Sequence, residues 1–201
     1  MTEGKTMTRD EMLKKLKKTL DNQRYAHTLG VEETAIQMAR AFGVDERKAS
    51  LAGLLHDCAK CCSLQEMSAY VQNDSVARSV DESMRSSRAL MHGPAGAARA
   101  RKEYGVSDPE VLSAIRYHTT GCATMSDLDK IIYLADMIEP GRKEYPGLAE
   151  VRALCRTDLN GAMRLALSQS AAYVGENRQM LHPDTQNALQ ALTQPIQEET
   201  K

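Results

Sequence analysis

The sequence predicts an all-α protein, and three observations carry that prediction. Apolar residues recur at three- and four-residue spacing along most of the chain, and no alternating apolar–polar stretch is long enough for a strand. With no Trp and a single Phe, the core has to be assembled from Leu, Ile, Val, Ala and Met. Ser, Thr or Asp stands before one segment after another with an acidic residue or a proline close behind, which is how helices start. A chain of 201 residues is one domain by length and large enough for a real core. Hydrophobic residues at 42% and charged residues at 26% are ordinary for a globular protein. The net charge of −1 excludes a broad basic surface for nucleic acid and an acidic excess that would favour disorder. No apolar run approaches the roughly 20 residues that span a bilayer. From Met1 to Lys18 charged and apolar residues alternate, unlike a secretory leader, so a cytoplasmic location with five reduced cysteines is expected.

In chain order, Thr8 and Glu11 form a capping box before Met12, Leu13, Leu16 and Leu20, an amphipathic helix whose lysines read as a solvated face. A second helix is expected over 24–42, stopped by Gly43. His27, Val31, Ala35, Met38 and Phe42 share one face of it, so His27 points inward. Asp45 and Glu46 open a third helix, which runs through Leu51-Ala52-Gly53-Leu54-Leu55 into His56-Asp57. Ser63 and Glu66 cap a short helix, and 73–89, rich in Ser and mixed charge, reads as a loop with one weak helical turn. His92-Gly93-Pro94 is expected to begin the next helix, with His92 at its positive end, and Gly105 to stop it. Asp108-Pro109 starts another, on which Val111, Ala114, Ile115 and His118 share a face. Ser126 and Asp129 begin the segment in which Asp136 is the lone charge of an eight-residue apolar run. Residues 140–147 are a loop carrying Arg142 and Lys143. Helices over 148–155 and 158–174 follow, and His182-Pro183-Asp184 opens a last one to residue 192. His182 has no evident partner in the sequence and reads as structural.

His27, His56, Asp57, His92, His118 and Asp136 thus lie on or beside helices and face inward. One such histidine is more often satisfied by the core than used as a ligand. The set argues differently. A buried carboxylate is costly unless paired or bound to metal, and mixed imidazole and carboxylate donors suit iron, manganese or zinc. Six donors are too many for one tetrahedral ion; they suit two ions that share a carboxylate, activate a water and grip phosphoryl oxygens. Lys60, three residues after Asp57, is expected on the same helical face. Cys58 and Cys61 make a C-x-x-C spacing, but without a second pair they and Cys62 read as incidental thiols.

The order His, His-Asp, His, His, Asp resembles the HD superfamily of metal-dependent phosphohydrolases. More narrowly, Arg24-Tyr25-Ala26-His27, Ala52-Gly53-Leu54-Leu55-His56-Asp57 with Ala59-Lys60, and His92-Gly93-Pro94-Ala95-Gly96-Ala97 are similar to the bacterial YqeK family. So are Ala114-Ile115-Arg116-Tyr117-His118-Thr119-Thr120-Gly121, the run 133–142 and His182-Pro183-Asp184-Thr185. The resemblance implies an HD-domain helical bundle with a dinuclear metal site over 20–192, beside an amphipathic N-terminal extension over 1–19 and a polar tail over 193–201. It implies symmetrical hydrolysis of diadenosine tetraphosphate to two ADP by a di-metal-activated water, with iron the first expectation and manganese or zinc the alternatives. On that pattern His27, His56, Asp57 and Asp136 would hold one ion, and Asp57 would bridge to a second held by His92 and His118. Asp57 and Lys60 would be catalytic, and Arg24, Lys60 and Arg142 would face the polyphosphate. The cysteines around Lys60 depart from the family's pattern and would make the site oxidation-sensitive. An HD nucleotidase, a hydrolase of another phosphorylated nucleotide and a non-catalytic nucleotide-binding factor are the competing readings. No membrane and no extended nucleic acid is expected as a partner, and a homodimer stays open.

Overall fold

The capping residues act as their chemistry dictates. Thr8 and Ser126 each complete a reciprocal capping box, with Glu11 and Asp129, while Asp21, Asp45, Asp81, Asp108 and Asp158 each accept backbone N–H bonds from the first turn they precede. The computed structural model describes residues 6–72, 74, 80–177 and 180–193, and among these it has eleven helices and no strand. They are α1 (Arg9–Thr19), α2 (Asn22–Phe42), α3 (Glu46–Leu55), α4 (Leu64–Gln72), α5 (Glu82–Arg85) and α6 (Arg88–Tyr104). There follow α7 (Pro109–Tyr117), α8 (Asp127–Ile138), α9 (Leu148–Leu154), α10 (Leu159–Glu176) and α11 (Pro183–Thr193). Gly43 and Gly105 end α2 and α6 in the left-handed conformation, with φ of 71° and 72°. No described helix is long and apolar enough to cross a membrane. The polar tail expected over 193–201 lies outside the described residues beyond Thr193.

One apolar core runs from Met12 and Leu16 of α1 through α2, α3, α7 and α8 to Ala162, Met163 and Leu167 of α10. A smaller one gathers Met67 and Val71 of α4, Met84 of α5 and Met91, Ala95 and Ala98 of α6. α6 has a face in each, so residues 91–100 are buried all round. That suits their composition, with Gly or Ala at six of these ten positions, since small side chains let a helix be covered from two sides.

Two expectations about this region are corrected. α6 starts at Arg88, so His92 and Pro94 lie within the helix and His92 is not at a positive helix end. The signal was misleading because Pro is favoured in a first turn, whereas here it is tolerated further along. Within 73–89, which read as a loop, α5 forms on its Asp81 cap; residues 73 and 75–79 lie outside the described set.

Glycines set the closest helix crossings. A Cβ on Gly93 of α6 would sit 2.5 Å from the Arg116 carbonyl oxygen of α7, and one on Gly53 of α3 would sit 3.0 Å from Glu32 Cα of α2. Either approach is below any real Cβ contact or at its limit, so these backbones meet only because the side chains are missing. Glu32 itself is buried but satisfied: Arg9 grips both its oxygens at 2.7 and 2.8 Å, and Ser50 donates at 2.8 Å. A second polar clasp joins α1, α4 and α6, in which Glu103 accepts from Tyr70, from Lys15 at 2.9 Å and from Arg99 at 3.2 Å. Burial alone would raise the Glu103 carboxyl, but these donors and their charge outweigh it and bring it down to about 2.

Two outcomes are expected. Gly93→Ala should destabilise the protein by about 1–3 kcal/mol through overpacking against α7, a drop of roughly 2–4 °C in Tm per kcal/mol. Gly175→Ala, with open space around it, should not; equal melting of the two variants would mean the crossing is not tight. The Glu103 carboxyl is depressed in the fold, so its stabilisation is present above the ordinary value of 4.5 and lost as pH falls towards about 2. Urea midpoints of Glu103→Gln should therefore lie below wild type at pH 7, with the gap closing over that acid interval.

Candidate metal centre

Five helices deliver the six inward residues to one place. His27 comes from α2, His92 from α6 and Asp136 from the last turn of α8. His56 and His118 are the C-cap residues of α3 and α7. A C-cap histidine has a ready partner, because the last carbonyls of a helix lack intrahelical donors. His56 Nδ1 duly lies 2.7 Å from the Gly53 carbonyl, and His118 Nδ1 lies 2.7 Å from that of Ile115. His92 Nδ1 faces the Arg88 carbonyl at 3.3 Å, and His27 Nδ1 faces Glu139 Oε1 at 3.0 Å. Carbonyl and carboxylate oxygens only accept, so each Nδ1 carries a proton, and in the neutral ring each Nε2 presents a lone pair. All four lone pairs point at two carboxylates. The rings follow one another edge-on, with centroids 5.4, 5.0 and 4.8 Å apart from His27 through His56 and His118 to His92.

Asp57, 2% exposed, divides its oxygens between two pairs of these rings. Oδ2 lies 3.5 Å from His56 Nε2 and 4.0 Å from His27 Nε2; Oδ1 lies 3.2 Å from His92 Nε2 and 3.6 Å from His118 Nε2. Asp136 Oδ1 is 2.9 Å from His27 Nε2 and 3.8 Å from His56 Nε2. Burial would raise the Asp57 carboxyl, but positive charge on the neighbouring imidazoles, that of His56 foremost, holds it well below the usual carboxylate range when the centre carries protons in place of cations. Asp136 is lowered as well, its burial outweighed by His27, His56 and Arg142. Burial brings His92 down to about 4, so this imidazole is neutral at pH 7. His56 is raised, because Asp57, Asp136 and the Gly53 carbonyl outweigh its burial.

The donor set fits a divalent cation. His27 Nε2, His56 Nε2 and Asp57 Oδ1 are buried with no hydrogen-bond partner, and groups so placed are rarely left unsatisfied. His92 Nε2 and His118 Nε2 face each other at 2.9 Å, two lone pairs in an arrangement that only a shared cation or proton makes favourable. Three triads, His27–His56–Asp57, His56–His118–Asp136 and Asp57–His92–His118, each bring their ligand atoms within 4.8 Å of one another. Asp57 belongs to two of them.

Cations rim the centre. Arg24 Nη1 donates to Asp57 Oδ2 at 2.8 Å. Arg142 holds Asp136 through the backbone oxygen at 2.6 Å and through Oδ1. Lys60 Nζ stands 3.0 Å from His92 Nε2 and 3.7 Å from Asp57 Oδ1. Its approach differs in detail from the expected continuous helix. α3 ends at Leu55, and 56–62 is a run of turns closed by Cys58→Leu55, Lys60→Asp57 and Cys62→Ala59 backbone bonds. In i→i+3 turns residues three apart eclipse, so Asp57 and Lys60 still share a side. Arg99 of α6 pins this segment by donating to the Cys58 carbonyl at 2.7 Å. Burial pushes the Cys58 thiol up to about 12 and raises Cys62 too, the opposite of an activated thiol.

His182 lies apart and does have a partner: its Nε2 is 2.9 Å from Asp81 at the head of α5. Two residues at the centre went unremarked in the sequence. Thr119 Oγ1 lies 3.2 Å from both His92 Nε2 and His118 Nε2, with no signal beyond adjacency to His118. Glu139 carried one: an acidic residue at a helix C-terminus opposes the dipole and asks for a compensating partner.

An HD domain profile matches residues 24–141, more than half of the chain. The symmetrical bis(5'-nucleosyl)-tetraphosphatase of Halalkalibacterium halodurans is 42% identical over 183 residues, covering 89% of this chain and 94% of that protein. The protein of the same name from Bacillus subtilis is 41% identical over 180 residues, with the same coverage. A Clostridium acetobutylicum crystal structure, described as a predicted HD superfamily hydrolase involved in NAD metabolism, superposes with a TM-score of 0.88 at 37% identity. It covers 93% of this chain and 97% of its own. With the profile spanning all six inward residues and relatives this similar over nearly the whole length, the chain belongs to the HD domain family and, within it, to the YqeK family.

Proposed function

We propose that this protein hydrolyses dinucleoside tetraphosphates, diadenosine tetraphosphate among them, symmetrically to two nucleoside diphosphates. The observation that carries the reading is the division of Asp57, with one oxygen toward His27 and His56 and the other toward His92 and His118. On this reading the first group, with Asp136, would hold one divalent ion and the second group another, iron being our assignment. Such ions supply positive charge for phosphoryl oxygens and an activated water for in-line attack.

The chain's own residues supply the rest. Arg24, Arg142 and Lys143 line a groove of about 610 Å3 that opens beside His27. Guanidinium side chains 29% and 35% exposed are at once anchored on Asp57 and Asp136 and open to a polyphosphate. Lys60, 33% exposed, flanks the opposite, His92 side of Asp57. Cations on both sides of the reacting centre favour placing an inner phosphorus there, with charged phosphates on either hand. Lys60 then offsets the charge of the departing diphosphate. The names of the relatives, symmetrical bis(5'-nucleosyl)-tetraphosphatase, support the same bond.

Protein purified without oxygen should carry about two transition-metal ions per chain. Asp57→Asn should abolish turnover and empty at least one position, because a neutral amide cannot serve both. Lys60→Ala should keep its metal but lose about 2–4 kcal/mol of charge stabilisation, roughly 10²–10³ in rate. Metal loss in Lys60→Ala as complete as in Asp57→Asn would reverse the two roles. Products in oxygen-18 water test the bond itself: diadenosine tetraphosphate should yield ADP alone, half of it labelled. Equal ATP and AMP, or faster phosphate release from mononucleotides, would reassign the enzyme as an asymmetric hydrolase or a nucleotidase.

A further inference from the structure

One short turn reaches two of the inward donors from outside. Glu139 caps α8 with its side chain 5% exposed, a place where both burial and the helix dipole disfavour a carboxylate. Its oxygens are divided. Oε1 lies 3.0 Å from His27 Nδ1, and Oε2 accepts the Gly141 N–H at 2.5 Å. The chain makes room for this group on two sides. A Cβ on Gly30, one turn after His27 on α2, would lie 2.6 Å from Oε2, and one on Gly141 would lie 3.0 Å away. Three residues beyond Glu139, and bonded to its carbonyl through a 3.0 Å backbone contact, Arg142 holds Asp136 by its backbone oxygen and Oδ1.

We propose that Glu139 is the positioning residue of His27. By accepting the Nδ1 proton it fixes the tautomer and ring plane that turn Nε2 toward Asp136 Oδ1 at 2.9 Å and Asp57 Oδ2 at 4.0 Å. Histidine ligands depend on such outer partners for orientation and basicity. The other three rings of the centre use backbone carbonyls for this purpose, and His27 alone among them uses a side chain. Unlike the C-cap residues His56 and His118, His27 sits in the first half of a long helix, where its carbonyl neighbours are taken up in the helical ladder. The turn 139–142 therefore sets the His27 half of the centre, through Glu139 on one donor and Arg142 on the other. This inference rests on the metal-centre reading above.

The test is titration of metal-depleted protein with Co2+, read by calorimetry and by the visible absorption of the bound ion. Wild type should bind two equivalents. Glu139→Ala should weaken one of them about 10–100-fold, change the absorption of that ion and leave the other as it was. Glu139→Gln, of equal size, should recover part of the affinity, since its amide oxygen still accepts from Nδ1 while its NH2 meets the Gly141 N–H. In a His27→Ala background, removing Glu139 should cost nothing further. Unchanged binding in Glu139→Ala would overturn the proposal. So would equal weakening of both ions, or a loss undiminished in the His27→Ala background, because each marks general loosening. A wild-type protein that binds no Co2+ would instead overturn the metal-centre reading beneath it.

Discussion

The structure depends on keeping one carboxylate ionised where water barely reaches it. Asp57 is 2% exposed, and an isolated charge at that depth would simply take up a proton. It remains an anion because a guanidinium donates to it and the four imidazoles around it supply positive charge, as protons or as the cations they would hold. The arrangement is self-consistent. Each ring is fixed by what its Nδ1 touches, so the lone pairs converge only if α2, α3, α6 and α7 end or cross at the correct places. Much of the fold can be understood as meeting that geometric condition.

Close approach is how the condition is met. Imidazoles on different helices are brought together here by backbones that are themselves close. Gly93 lets α6 lie on α7 next to His92 and His118, and Gly53 lets α3 lie on α2 behind His56. The alanines of α6 serve the same end, since a helix buried in two apolar clusters must be thin on both faces. Such positions carry no chemistry themselves, yet one added methyl group at Gly93 or Gly53 would push apart the helices that carry the donors.

Charge is layered around this core. Asp57, Asp136 and Glu139 are innermost, and Arg24, Arg142 and Lys60 rim them with roughly one-third of each side chain open to solvent. A centre built this way can host cations inside while presenting positive charge to an approaching anion. Because the guanidiniums are tethered to the carboxylates, their direction is set before a polyphosphate arrives, and little ordering is left to binding.

The sequence by itself determined the helical class, most helix starts and the inward direction of six donors. Those properties are local: capping chemistry acts within one turn, and a 3.6-residue period says which face of a helix is apolar. His27 and His118 were legible on their apolar faces, and Asp136 as the one charge in an apolar run. The relations between helices were decided only by tertiary structure. Periodicity does not reveal that Asp57 offers one oxygen to each pair of histidines, that Glu139 stands behind His27, or that His182 belongs with Asp81. It also misplaced the start of α6, because a proline compatible with a first turn can equally sit further along a helix held on two sides. A contact between residues a hundred positions apart is a property of how helices cross, and crossing depends on the summed shapes of facing side chains, which no single segment contains.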